Sequence, residues 1–125
     1  MPEQIERNLG NVQNDLKIAR RISVPSVRFT YSYTALIKGG IALLSCEQLK
    51  VRSVPGHHSM IIEHLADVMG DRTIADMGEA VRSLRNQDFY GGGILMTDKD
   101  SREYLRFVER VLNEVALRIK QHLRS

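Results

Sequence analysis

"EQIERNLGNVQNDLKIARRI", residues 3–22, decides the fold class. Ile5, Leu9, Val12, Leu16 and Ala19 follow one another in alternating steps of four and three. That is a single apolar stripe at helical period. Glu6, Arg7, Asp15, Lys17 and Arg20 are expected on the other faces, where an amphipathic helix carries its charge.

The same period recurs to the end of the chain. "SVPS" (23–26) interrupts the first helix, because the residue before Pro25 is pushed away from helical dihedrals. A second helix is predicted from Pro25 or Ser26 to about Gln48, with Gly39 and Gly40 in its middle. Each glycine there costs about 1 kcal/mol relative to alanine, so another backbone or a ligand is expected to come close. "KVRSVPG" (50–56) reads as a loop, and "HHSMIIEHLADVMG" (57–70) as a third helix ending at Gly70. Asp71 or Thr73 is placed to cap a fourth helix with Ile74, Met77, Val81 and Leu84 inward, which "GGG" (91–93) terminates. Thr97 or Asp98 then caps a fifth helix from about Lys99 to Leu123, with Tyr104, Val108, Val111, Val115 and Ile119 as its stripe. No segment alternates over strand length. The expectation is an all-α bundle of about five helices in one domain, residues 1–125, with a long C-terminal helix.

Bulk properties agree. The chain has 125 residues, enough to bury a core without staples. Apolar residues make up 42% and aromatic residues 6%, with no Trp and three Pro, a profile that favours helices over strands and turns. The net charge of +3 tolerates a nucleic-acid partner but is no basic tract. The single cysteine, Cys46, cannot form an intrachain disulfide and lies in the apolar run "IALLSC", so a near-core position and a reducing, cytoplasmic setting are expected. No charged-then-apolar leader opens the sequence, and no apolar stretch approaches bilayer length, so no membrane partner is expected.

The usual catalytic motifs are missing. His57 and His64 share a helical face but lie seven residues apart, about 10.5 Å of rise, too far for one ion. His58 points elsewhere, so no metal site is expected. There is no Walker-type phosphate loop, no dinucleotide fingerprint and no nucleophile elbow. His57 and His58 follow Gly56 at a helix start, where they are candidates to meet a neighbouring helix or an anionic ligand.

That leaves "LRNQDFYGGG", residues 84–93. As a plain helix end, Arg85 and Asp88 would form a surface ion pair, Phe89 would close the core and Tyr90 would plug the terminus. On a continuous helix Arg85 and Tyr90 point about 140° apart. A joint role needs unwinding before the glycines or a second copy of the segment across a dimer axis.

Three stretches together resemble the HEPN superfamily (higher eukaryote and prokaryote nucleotide-binding domains). "YSYTALIKGGIALLSCEQLKVRS" resembles its second helix, "PGHHSMIIEHL" its histidine-bearing helix start, and "RNQDFYGGG" occupies the place of its R-x(4–6)-H motif. The likeness runs from about residue 5 to 123. It implies a homodimeric bundle in which two such motifs line one cleft and cleave RNA without metal or cofactor. The arginine would hold the scissile phosphate and the histidine would move protons. Carried over, Arg85 takes the arginine role and Asn86 the polar one, with Asp88 as a neighbouring ligand-binding residue.

The histidine position holds Tyr90, giving R-x(4)-Y. The tyrosine that the family carries two positions beyond falls at Gly92. A phenol with a pKa of about 10 is a poor base at neutral pH, although it can position a phosphate or donate a proton. Two readings follow: a toxin-like endoribonuclease, or a noncatalytic nucleotide-binding or interaction module, each with RNA, a nucleotide or a nucleotidyltransferase as the implied partner. Both place the fourth helix and the Gly39–Gly40 pair at or near a two-fold interface.

Overall fold

The computed structural model describes residues 2–46, 57–77 and 97–124. Among them every regular element is a helix, five in all, and there is no strand. The all-α architecture and the long last helix follow the sequence expectation.

The first helix, α1, runs Pro2–Arg21. Pro2 suits a first helical position, where its missing N–H is no loss. Glu3 in the first turn and Arg20 and Arg21 in the last complement the helix dipole. Ile5, Val12, Leu16 and Ala19 are buried, and Leu9 is half-buried. Asp15 departs from expectation: it is 6% exposed rather than on a solvated face. It stands three residues after Val12 and four before Ala19, and so on the buried stripe itself. Lys38 of the next helix neutralises it, with Nζ 2.8 Å from Asp15 Oδ2. The ammonium approaches off the line of a good hydrogen bond, so the contact is an ion pair.

The second helix, α2, runs Pro25–Cys46. The Val24 carbonyl accepts its first helical hydrogen bond, from Arg28 N at 3.0 Å. Burial extends well around its circumference, from Ala42 through Arg28, Leu36 and Gly40 to Ile37 and Leu44, as a helix flanked by others requires. It packs along both α1 and the last helix, which touch each other little.

That last helix, α5, runs Asp98–Arg124. Thr97 is its cap: the Asp100 N–H donates to Thr97 Oγ1 at 3.0 Å, and the Ser101 N–H to the Thr97 carbonyl at 3.0 Å. The predicted stripe of Tyr104, Val108, Val111, Val115 and Ile119 is buried, joined by Leu105, Phe107 and Leu112. Gly39 explains how α2 and α5 come together. A Cβ at that position would lie well inside van der Waals contact with Leu112 Cδ2, so the missing side chain is what lets the two backbones approach. Close helix packing within the chain is therefore the role of Gly39. Both glycines are buried within one chain, and Gly39 is covered by Leu112 of the last helix.

Contacts divide the chain into two units. The first contains α1, α2 and α5. The second contains α3, His57–Met69, and α4, helical over residues 72–77 where the described segment ends. The α3 terminus is a Schellman close. Gly70 takes a φ of 65°, its N–H donates to the Asp67 carbonyl at 3.2 Å, and the Asp71 N–H donates to the Ala66 carbonyl at 3.0 Å. Asp71 then caps α4, accepting from Thr73 N at 3.0 Å. Among the described residues of this unit, Ile61, Ile62, Leu65, Ala66, Ile74 and Ala75 are buried. Met77, expected inward, is 37% exposed. The predicted loop 50–56, Val81, Leu84 and the glycines at 91–93 lie outside the described residues.

Candidate functional site

Arg85, Asn86, Asp88 and Tyr90, the residues named from the sequence, lie outside the described residues. His57 and His58 are the first two residues of α3, at the helix start where the sequence put them, and their side chains are not described. The described residues contribute a second polar centre that the sequence reading did not single out.

That centre is Arg28, in the first turn of α2 and 1% exposed. A cation there opposes the dipole of its own helix. Its guanidinium instead reaches the carbonyl end of α1, where helical acceptors are left over. Nε donates to the Ala19 carbonyl at 3.2 Å, and Nη2 donates to the Ile22 carbonyl. Nη1 turns to the start of α5, donating to Asp98 Oδ1 at 2.7 Å and to Ser101 Oγ at 2.9 Å. Ser101 Oγ in turn donates a hydrogen bond to the Asp98 carbonyl at 2.9 Å. One side chain thus joins the end of α1, the start of α2 and the start of α5.

A guanidinium has five N–H donors, and four contacts here use most of them. Arg28 is committed to the fold and is not placed to take up an external anion. A sequence signal did exist: "VRF" (27–29) puts an arginine between two apolar residues in a helix's first turn, where the dipole disfavours it.

Asp98 is the exposed end of this clamp. Hydrogen bonds from Arg102 and then Arg28 hold its carboxyl below the usual aspartate value. A depressed folded value means that Asp98 contributes stability above its unfolded pKa of about 4, and that this contribution is lost as pH falls through the lower folded value. Asp98→Asn should therefore unfold at lower urea than wild type at pH 7. The gap should close as the pH drops below about 4. A gap that stays constant down to pH 2 would remove Asp98 from the clamp's electrostatics.

Aromatic rings continue inward from the clamp. Phe29 meets Tyr104 at 4.9 Å between centroids, Tyr104 meets Phe107 at 6.4 Å, and the Arg110 guanidinium lies 5.7 Å from the Phe107 centroid. Cys46 is half-buried, with Sγ 4.0 Å from the Ile119 carbonyl, the near-core setting its apolar run suggested. Among the described residues no group of three His, Cys, Asp or Glu side chains is arranged to hold a metal ion, and no helix is long and apolar enough to cross a membrane. Comparison with family models, with curated proteins and with solved structures gave no match.

Proposed function

We propose that this protein is HEPN-like and binds or acts on RNA or nucleotides through Arg85, Asn86, Asp88 and Tyr90, as a homodimer in the cytoplasm and with a toxin-like, metal-independent endoribonuclease activity. One observation carries the reading. In a chain whose described residues form only helices and connections, an arginine, an asparagine, an acid and a tyrosine lie together just ahead of the long last helix. That is the order in which the resembled family carries its R-x(4–6)-H motif. Arginine suits a phosphate because its planar fork can bind two oxygens at once, and Tyr90 would position the phosphate or protonate a leaving oxygen. His57 or His58, at the start of α3, would supply an imidazole only if that helix start lies near Arg85.

Tyr90 in place of histidine favours a second reading, a noncatalytic nucleotide-binding or interaction module paired with a nucleotidyltransferase. Incubation of total RNA with the protein in chelator separates the two. Cleavage by wild type that is absent in Arg85→Ala supports the enzyme. No cleavage by either variant discards it in favour of the binding module.

A further inference from the structure

Two of the five acids of α5 are ion-paired among the described residues, and several of its cations are not. Asp98 is held by Arg28 at 2.7 Å and by Arg102 at 2.7 Å, and Glu109 by Arg20 of α1 at 2.9 Å. At about 100° per residue, Lys99, Arg102, Arg106, Arg110 and Lys120 fall within an arc of about 80°, on the side opposite the buried stripe. All five are exposed. Glu103 and Glu109 flank this arc, each about 20° outside an edge and Glu109 paired with Arg20, and Glu114 stands about 40° outside. Among the described residues, no ion pair or hydrogen bond engages the side chains of Lys99, Arg106 or Lys120. Arg110 is supported by the Phe107 ring rather than by a carboxylate.

We propose that this outward ridge of α5 is a track for the phosphate backbone of single-stranded RNA. From Lys99 to Lys120 the ridge runs about 32 Å in a straight line, a path that a flexible polyanion can follow. Arginine forks suit phosphate oxygens. An anionic membrane would call for a helix that presents its apolar side to the lipid. The apolar side of α5 is buried in its own unit, and Leu117 is the large apolar residue exposed on the outward face. The inference rests on the RNA-directed reading above and adds to it a second surface, beginning 14 positions after Arg85, that supplies affinity rather than chemistry.

The test is fluorescence anisotropy with a labelled 20-nucleotide oligouridylate, in chelator, across a series of potassium chloride concentrations. The variant K99Q/R106Q/K120Q removes three cations that make no ion pair or hydrogen bond among the described residues, so its helical circular dichroism should match wild type. If it does not, K99Q/K120Q replaces it. Each phosphate contact on a single strand contributes about 0.7 to the slope of log affinity against log salt. The triple variant should therefore lose about 2 from that slope, or about 1.4 for the double, and the triple should bind at least tenfold more weakly in 50 mM salt. The control R7Q/K17Q, on exposed positions of α1, should keep the wild-type slope. An unchanged slope in the ridge variant, no oligouridylate binding by wild type, or binding to phosphatidylserine vesicles in its place would each overturn the proposal. Ridge-dependent binding by a protein that cleaves no RNA would retain the track and discard the catalytic reading alone.

Discussion

Arg28→Met is expected to destabilise the protein by about 3 kcal/mol and to lower its melting temperature by roughly 10 °C. Methionine replaces the length of the side chain but none of its donors. The Ala19 and Ile22 carbonyls and Ser101 Oγ each lose a partner, at about 1 kcal/mol apiece for groups wholly or partly shielded from water. Asp98 adds little to this cost, because at 55% exposure its carboxylate is still hydrated when the arginine is gone. Arg28→Lys separates charge from geometry, since an ammonium can reach one or two of these acceptors but cannot span all of them. It should recover less than half of the loss. Urea melts of the three proteins measure this directly, and a methionine variant as stable as wild type would mean that water satisfies the three acceptors equally well.

Gly39→Val is expected to cost about 2 to 3 kcal/mol, despite replacing glycine in the middle of a helix. Helix propensity alone favours the change by a few tenths of a kcal/mol. The opposing effect is steric: the new side chain would overlap Leu112, itself 4% exposed and with little room to turn away, and overpacking of this kind costs about 1 to 3 kcal/mol. Leu112→Ala alone should cost about 2 to 4 kcal/mol by opening a cavity. Combined with Gly39→Val, it should cost distinctly less than the sum, because each change relieves the other's defect. A double-mutant cycle reads that coupling. Strict additivity would show that the two residues do not meet.

These two residues also mark how far the sequence could be read. Helix positions were legible because apolar spacing is local: the stripes of α1 and α5 are buried as predicted, and Gly70 and Thr97 end and begin helices where their chemistry suggests. Gly39 announced a close approach without naming its partner, since Leu112 lies 73 positions away. The charge of Asp15 predicts a solvent-facing position, although its register with Val12 and Ala19 places it inward beside Lys38. Arg28 went unremarked for a similar reason, its acceptors being brought together only by the packing of α1, α2 and α5. The proposed site stands differently. Arg85, Asn86, Asp88 and Tyr90 are known by type, order and resemblance, and their chemistry was inferred from those alone.

The unit built from α1, α2 and α5 is discontinuous along the chain, with α3 and α4 emerging between its second and third helices. Its history during synthesis follows from that order. The α1–α2 hairpin closes across only three residues and can form as soon as it leaves the ribosome, whereas the α2–α5 contact must wait for the 27 residues of α5, made after α3 and α4. Until then, Leu36, Leu43 and the bare backbone at Gly39 have no lid from α5. A chain that has not yet made α5 thus leaves this apolar face of α2 uncovered, so the arrival of α5 converts an adhesive hairpin into a closed three-helix unit.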